Sequence, residues 1–362
     1  MSRSGYSPKQ MVNTSDYFAD TVWNTYSKTL GYFLMPIKDD HQCRYIGERS
    51  GPCNESALEG SDYCFWHDRE ADKSGADVRA LLEERARKGT TMEGFYLKGA
   101  HLDNLDLVCP EGEVYHLINS DLSRCSLVKA HLYRADLSGC NLLKADLSGA
   151  NLHRTRLIGS NLLGVNFKSA RIEHVDFGDT FLQEEKAHQA SREGDKRKSS
   201  ELFEEAEEVA RNIRKHCEAQ GLFHNAGEFF YRERTFNRYR FPLISRQRVV
   251  SKIVDMLSGY GEKPERVVLF SVSFIVFFSL FYFFLGIEDS GTLVKYQSGQ
   301  PLYNNLINWL EALYFSVVTF TTLGYGDLAP VGLSRLFAAV EAFIGSFTLA
   351  LFVVVFVKKM TR

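Results

Sequence analysis

Two long apolar stretches lie near the carboxyl end of the chain. Val267–Gly286 contains no charged residue, and Leu336–Val357 contains only Glu341. At about 1.5 Å per residue, each stretch of roughly 20 residues can cross a hydrocarbon core of about 30 Å. A shorter stretch between them, Asn305–Phe320, carries apolar residues at helical spacing and is too short to cross. The pattern predicts a spanning helix, a re-entrant pore helix and a second spanning helix.

The predicted pore helix ends directly on Thr321–Asp327, whose sequence is TTLGYGD. Glycines at alternate positions allow an extended backbone to turn its carbonyl oxygens to one side, and a ring of four such segments replaces the water shell of a potassium ion. Irregular backbone at membrane depth is tolerated only where protein buries it or where it lines a water-filled cavity. The order of elements therefore predicts a pore, not two plain anchors joined by a surface loop.

From Lys263 to Lys358 the chain resembles the pore domain of the two-transmembrane tetrameric potassium channels. The resemblance implies potassium as the permeant ion. The ion-binding residues would be those of the filter: Thr322, Leu323, Gly324, Tyr325 and Gly326. The residues expected to support the filter are Thr321, Asp327, Tyr314, Phe315 and Glu341.

Some filter positions depart from the pattern of these channels. Leu323 stands where valine is most frequent, and the backbone site should survive this change. Tyr314 and Phe315 stand where many relatives have tryptophans, and Val318 stands where some have a glutamate. The brace around the filter is therefore expected to differ, and the rate of filter inactivation stays open.

Two residues of the second span stand out. Gly345 lies where the resemblance implies a gating hinge, and glycine tolerates a bend, although close helix packing through a small residue explains it equally. Glu341 is a carboxyl inside a span, and such groups usually face protein. We expect it to face the pore helix near Thr319 or Ser316, as a structural brace more than as a gating group.

Apolar residues upstream of the pore recur every five positions. The register extends over Leu97–Leu182 with one interruption at Val108–Glu113, and small residues such as Ala130 lie two positions before the apolar ones. A period of five fits neither a helix nor a strand and predicts a solenoid. ADLSG at 135–139 and 145–149 resembles the pentapeptide-repeat family, which implies a right-handed, four-sided β-helix with about 20 residues per coil.

The function of the solenoid is less specific. Solenoids present long faces, and a rigid spacer or oligomer scaffold is favoured over a specific binding face. Basic and acidic residues are nearly balanced over Leu97–Leu182, which argues against an acidic mimic of DNA.

A compact group of potential metal ligands precedes the solenoid: Cys43, Cys53, Cys64 and His67. Three thiolates and an imidazole suit tetrahedral zinc, and the spacing resembles small Cys-Cys-Cys-His zinc modules. His41 is a spare candidate. A disulfide is disfavoured in a cytoplasm. Because protein would supply all four ligands, structural zinc is favoured over a redox or zinc-sensing site.

The fold class predicted is a multidomain membrane protein, in which an all-α two-span pore domain joins a cytoplasmic β-helix through a helical linker. The predicted domains are an N-terminal helical segment (1–40), a zinc-binding module (41–72), the β-helix (73–183), the linker (184–262) and the pore domain (263–362). Helices are expected at Asp77–Lys88, Glu184–Gln220 and Ala226–Arg238. The net charge of −2 gives no reason to expect nucleic acid as a partner.

Basic residues flank both spans, and the stretch before the first span is rich in them. Its arginines are Arg232, Arg234, Arg238, Arg240, Arg246 and Arg248. By the positive-inside bias, both termini and the large N-terminal part are expected to be cytoplasmic. The same arginines could contact anionic lipid heads, or they could serve only as a topology signal.

These patterns predict a potassium-selective homotetrameric channel of the cell membrane, similar to prokaryotic channels, with structural Zn²⁺. The chain ends at Arg362, which leaves no room for a ligand domain after the inner helix, so gating is expected from the N-terminal domain. The gating ligand is not predicted. The alternative is a membrane-tethered interaction scaffold with a weakly conducting or non-selective cation pore. An enzyme is not expected, since no Ser-His-Asp set, open metal site or phosphate loop is evident.

Overall fold

The computed structural model describes residues 41–75, 77–109 and 114–361. The helical segment predicted over residues 1–40 lies outside the described residues. The chain divides into two compact units, Met1–Ala71 and Asp72–Arg362. The described part of the first unit contains an antiparallel hairpin of β1 (Ile46–Gly47) and β2 (Gly51–Pro52).

Parallel bridges stack the five-residue repeats of the second unit into a β-helix. Asp121 pairs with Asn141 and Asn141 with Asn161, so one coil takes 20 residues. Tyr96 pairs with Asp121, 25 residues later, because the first coil contains the predicted interruption, of which residues 110–113 lie outside the described residues. That coil also holds the parallel pair of β3 (Met92–Glu93) with β4 (Leu117–Ile118). The predicted fold class is confirmed.

Two side chains of each repeat fill the β-helix. The apolar residue and the small residue two positions before it are both buried, as in Leu127, Ala130, Leu132, Ala135, Leu137, Cys140, Leu142 and Ala145. The backbone then turns at a corner with positive φ, as at Gly139 (71°) and Arg154 (59°). A residue with a side chain costs about 1 kcal/mol in this conformation, so the apolar interior must compensate at corners such as Arg154.

Helices close both ends of the β-helix. They are α1 (Asp77–Arg87) and α2 (Leu182–Arg192). At the first coil, Arg79 of α1 donates to the carbonyl of Asp103 (3.1 Å). At the last coil, the buried Gln183 of α2 donates to Asn161 Oδ1 (2.7 Å), which ends a ladder of side-chain amides. Both helices therefore contact the terminal coils, whose edges could otherwise pair with another strand.

The linker consists of three further helices: α3 (Lys196–Ala219), α4 (Phe223–Tyr239) and α5 (Arg246–Ser258). The single helix predicted over Glu184–Gln220 is interrupted, because Gly194 has a φ of 85° and Asp195 caps α3 by accepting from the Lys198 amide. α3 and α4 pack as a hairpin. α5 was not predicted, and it leads through a short turn at Gly259–Gly261 into the membrane domain.

The membrane domain has an outer helix α6 (Pro264–Leu285), a pore helix α7 (Leu302–Phe320) and an inner helix α8 (Ser334–Met360). In the described chain, α6 and α8 are the two helices long and apolar enough to span a membrane. Only 22% of the most apolar window of each is buried, which distinguishes them from core helices of a soluble domain. Each helix begins two or three residues before its predicted span. For α6 the reason is Pro264, a residue that suits the first turn of a helix.

A small sheet lies beside the carboxyl end of the filter. Its strands are β5 (Ile287–Asp289), β6 (Thr292–Val294) and β7 (Leu328–Pro330), in the order β6–β5–β7. β5 follows the outer helix at once, and β7 follows the filter at once. Their antiparallel pairing therefore ties the end of the filter to the end of the outer helix.

Candidate functional site

The filter segment starts on the last turn of the pore helix. The amide of Thr322 donates to the carbonyl of Thr319 and the amide of Leu323 to that of Val318, both at 3.0 Å. The hydroxyl of Thr321 donates to the Val317 carbonyl (2.7 Å). These bonds satisfy carbonyls that a helix end leaves without partners and hold the first filter residues in place.

Backbone angles along the filter alternate. Thr322, Gly324 and Gly326 have φ of 58°, 58° and 81°. In an ordinary strand, successive carbonyls point to opposite sides. A change to positive φ at every second residue turns the carbonyls to the same side. Glycine adopts this conformation without cost, whereas a β-branched threonine is strained in it, so the structure holds strain at Thr322.

Asp327 closes the other end of the filter. Its carboxylate accepts from the Tyr314 hydroxyl on the pore helix (2.8 Å) and from the Leu328 amide (3.0 Å). The structure thus joins two of the predicted support residues. Phe315 instead packs edge-on against Tyr282 of the outer helix, with ring centroids 4.8 Å apart. Any support that Phe315 gives the filter acts through the pore helix.

Glu341 sits where the three membrane helices meet. It is fully buried on the inner helix, and its two carboxyl oxygens accept from Tyr282 of the outer helix (2.6 Å) and from Ser316 of the pore helix. Ser316 was one of the two expected partners, and Tyr282 was not foreseen. A buried carboxyl is costly without partners, so this cluster holds the helices in one relative position.

Gly345 lies one turn further along the inner helix, which continues unbroken through this position. A Cβ atom here would overlap the carbonyl oxygen of Phe320 and would lie 3.0 Å from its Cα. The absence of a side chain thus lets the inner helix touch the end of the pore helix. This contact favours the packing explanation of Gly345, and the hinge stays a prediction.

The four predicted metal ligands of the first unit converge, with all ligand atoms within 4.8 Å of one another. His67 Nδ1 lies 3.2 Å from Cys64 Sγ and 3.5 Å from Cys43 Sγ, and Cys53 Sγ lies 3.9 Å from Cys64 Sγ. Tetrahedral zinc with bonds of about 2.3 Å separates its sulfur ligands by about 3.8 Å, so the donor set fits this ion. The spare candidate His41 is not part of the group.

The surroundings of the cluster orient its ligands. The His67 ring stacks on Tyr45 with centroids 3.8 Å apart, and the His67 amide donates to the Cys64 carbonyl in a tight turn. Burial raises the pKa of the Cys53 and Cys64 thiols. A metal ion reverses this effect, because a coordinating thiol loses its proton.

A second cluster joins the linker to the outer helix. Arg238 of α4 donates to Asp255 of α5 (2.7 Å), and both side chains are about 95% buried, with 5% and 3% exposed. Arg266 of the outer helix also contacts Asp255, and the Tyr260 hydroxyl accepts from Arg238 (2.9 Å). Burial acts to raise the pKa of Asp255, but the hydrogen bond and charge of Arg238 outweigh it, so this pKa lies below its ordinary value.

The inner helix reaches the same region. Lys358 Nζ lies 2.6 Å from Glu262 Oε1, in the turn that precedes the outer helix, and 5.1 Å from the centroid of the Phe230 ring on α4. One side chain at the end of the inner helix therefore contacts both the linker and the connection into the outer helix. This junction was not predicted.

The six arginines expected at lipid heads fall into two groups. Three are engaged by carboxylates: Arg232 by Glu184, Arg238 by Asp255, and Arg240 by Glu204 and Glu207. Arg248 donates to the carbonyl of Phe241 (2.8 Å). In the part of the chain that the structure describes, Arg234, Arg246 and Arg248 form no ion pair.

The re-entrant helix, the filter and the two spans define the C-terminal part as an ion channel domain. Residues 270–362 match the family described as "Ion channel". Residues 116–142 and 145–183 match the pentapeptide repeats, in 8 copies, and residues 182–216 match a family of unknown function (DUF6435). The chain therefore joins pentapeptide repeats to an ion channel domain, as the resemblances predicted.

Three solved structures that are similar to the chain are pentapeptide repeat proteins. HetL, involved in heterocyst differentiation regulation in the cyanobacterium Nostoc sp. strain PCC 7120, is 30% identical over 24% of this chain and 38% of its own, with a TM-score of 0.22. Rfr23 from the cyanobacterium Cyanothece 51142 is 28% identical over 25% of this chain and 61% of its own, with a TM-score of 0.19. The chain thus covers less than two thirds of either protein.

A pentapeptide repeat protein from the thylakoid lumen of Arabidopsis thaliana is 22% identical, over 33% of this chain and 83% of its own, with a TM-score of 0.15. The comparison with curated protein sequences gave no match.

Proposed function

We propose that this protein is a potassium-selective channel that conducts K⁺ passively. The observation that carries the proposal is the alternating backbone of the filter, with Gly324 and Gly326 at positive φ directly after the pore helix. Carbonyl oxygens turned to one side can replace the hydration shell of K⁺. Asp327, bonded to Tyr314, holds the outer end of this backbone against the pore helix.

The proposed assembly is a homotetramer. One filter segment offers only one side of a coordination shell, and four complete it. Leu323 and Tyr325 are 58% and 68% exposed in the single chain, and Leu306 and Leu310 of the pore helix are each 49% exposed. Neighbouring subunits around a central axis would cover these apolar side chains, which supports assembly through the pore domain.

Flux measurements on purified protein in liposomes test the channel directly. We expect K⁺ flux that barium blocks and that exceeds Na⁺ flux. The matched control is Gly324→Ala, which places a side chain at a φ of 58° and should abolish selective flux in a protein that still assembles. Absence of barium-sensitive K⁺ flux from the wild type would refute the proposal, and equal K⁺ and Na⁺ flux would favour the scaffold with a non-selective pore.

We place the linker and β-helix in the cytoplasm. Lys263, Arg266, Lys358 and Lys359 border the same ends of the two spans, as the positive-inside bias requires of a cytoplasmic side. Proteolysis of intact right-side-out vesicles checks this orientation. Cleavage within the linker in sealed vesicles would contradict it.

The second part of the proposal is that the region preceding the pore gates it. The linker continues directly into the outer helix, which gives one route to the pore. The contacts of Lys358 with Glu262 and Phe230 add the inner helix, so a movement of α4 reaches both spans. Deleting residues up to about 225 should change open probability and leave ion preference unchanged. Unaltered gating of the deletion would contradict this part.

We propose structural Zn²⁺ at Cys43, Cys53, Cys64 and His67. The support is the fit of their separations to a tetrahedral ion and the supply of all four ligands by protein, which leaves no position for a substrate. Such a small unit has little apolar core, so metal binding would contribute directly to its folding. Metal analysis of the purified protein tests the identity of the ion, and iron or no metal would contradict zinc.

A further inference from the structure

We propose that a groove between α4 and α5 binds one anionic phospholipid in each subunit. The groove has a volume of about 890 Å³. The side chains that matter are the apolar Phe230, Phe241, Val250 and Val254 and the basic Arg234 and Arg246. The proposal rests on the membrane location of the proposed channel and adds a defined ligand site to it.

The apolar side of the groove fits an acyl chain. Val250 and Val254 line the groove and are 52% and 41% exposed on α5. Leu243 and Ile244, just before this helix and outside the groove lining, extend the apolar surface and are 75% and 94% exposed. Such a run of exposed apolar side chains marks an interaction surface on a soluble domain. An inorganic anion would leave these side chains in water, whereas an acyl chain covers them.

The charged side of the groove fits a phosphate. Arg234 and Arg246 are exposed, and neither forms an ion pair in the described part of the chain. Among the residues that the structure describes, no carboxylate lines the groove, and its other polar side chains are neutral: Asn237, Gln247, Ser251 and Tyr260. Arg238, one helical turn from Arg234, is by contrast neutralised by Asp255. Two guanidinium groups that line one groove and form no ion pair among the described residues suit a phosphate diester.

The position of the groove makes a membrane lipid available. α5 ends at Ser258 and the outer helix begins at Pro264, so the groove lies close to the first residues of the span. Basic groups at the inner surface of a membrane attract anionic lipids, whose headgroups lie at this level. An occupied groove would tie α4 and α5 to the bilayer beside the Lys358 contact.

Native mass spectrometry of the detergent-solubilised full chain, titrated with palmitoyl-oleoyl phosphatidylglycerol, tests the site. We expect one tightly bound lipid per subunit. Arg234→Gln with Arg246→Gln should weaken its apparent affinity roughly 30-fold, because each basic residue contributes about five-fold. The control is Arg134→Gln with Arg154→Gln, the same charge change at two exposed β-helix corners, and it should have no effect.

Two further variants separate charge from folding. Arg234→Lys with Arg246→Lys should retain most of the affinity, and Val250→Asn with Val254→Asn should lower it although both arginines remain. Affinity unchanged in the double glutamine variant, or lowered equally in the control, would overturn the proposal.

Competition identifies the source of the ligand. Short-chain phosphatidylglycerol should displace the bound lipid, and millimolar inorganic phosphate should not. Displacement by inorganic phosphate but not by the short-chain lipid would show a simple anion site. Cross-links from position Val254 to a neighbouring subunit would show that protein occupies the groove. Either result overturns the lipid assignment. Lipid binding by a protein without K⁺ flux would refute the channel and leave the lipid site standing.

Discussion

Reversing the charge of Lys358 tests whether the junction controls the pore. Its ammonium group lies 2.6 Å from Glu262, which the chain places in the turn before the outer helix. If the pair exists in only one of the closed and open states, then removing it shifts the equilibrium between those states. Lys358→Glu and Glu262→Lys should each do so, and the double exchange should restore wild-type behaviour.

The burial of the two side chains sets the size of the effect. Glu262 is 7% exposed and Lys358 is 34% exposed. Fully exposed pairs contribute about 0–1 kcal/mol, and breaking a fully buried pair costs about 3–5 kcal/mol. A half-buried pair should lie between, at about 1–2 kcal/mol. This energy corresponds to a change of roughly 5- to 30-fold in the ratio of open to closed channels.

Single-channel recording in planar bilayers measures this ratio directly. The control is Lys359→Glu, because Lys359 is the neighbouring residue and forms no ion pair among the described residues. We expect altered open probability in both single exchanges, recovery in the double exchange and constant preference for K⁺ over Na⁺. Open probabilities within two-fold of wild type in both single exchanges would refute the coupling, as would a change in ion preference without a change in gating.

The remaining predictions concern the membrane packing, the metal group and the filter. Gly345→Ala should lower the thermal stability of the protein, because its Cβ would overlap the Phe320 carbonyl, although alanine normally favours a helix over glycine by about 1 kcal/mol. A higher melting temperature would refute this packing argument. Cys53→Ser should remove bound zinc. In the wild type, zinc affinity should rise from pH 6 to pH 8, because burial raises the pKa of the thiols and protons compete with the metal for them. Equilibrium dialysis measures both effects, and an affinity that stays constant with pH would contradict the ligand assignment. Tyr314→Phe removes the hydroxyl that donates to Asp327. The variant should show a faster decay of the macroscopic current without loss of K⁺ selectivity. An unchanged decay would argue that the Tyr314–Asp327 hydrogen bond does not support the filter.

Much of the fold follows from local periodicity. The repeat of five predicts the β-helix because every coil presents the same two inward side chains, and the structure buries them throughout Leu127–Ala145. The apolar spans and the pore helix are likewise properties of continuous stretches. The break at Gly194 and the helix α5 were missed, because one glycine and a short amphipathic segment give weak signals against charged surroundings.

The candidate site divides in the same way. The filter is a continuous segment, and the four predicted metal ligands lie close together in sequence, so composition and spacing were enough to predict both groups. Glu341 stood out as the lone carboxyl of a span. Its partner Tyr282, 59 residues away, could not be found, because tyrosine in an apolar span carries no signal of its own.

The sequence by itself determined the parts of this protein: a solenoid, a metal group and two spans around a filter. Each part depends on side chains that lie near one another along the chain. Only the tertiary structure decided how the solenoid, linker and pore connect. Lys358 and Glu262 are 96 residues apart, and their contact depends on the angles at which α4, the outer helix and the inner helix pack. Those angles arise from the fit of whole helix surfaces, which no local pattern records.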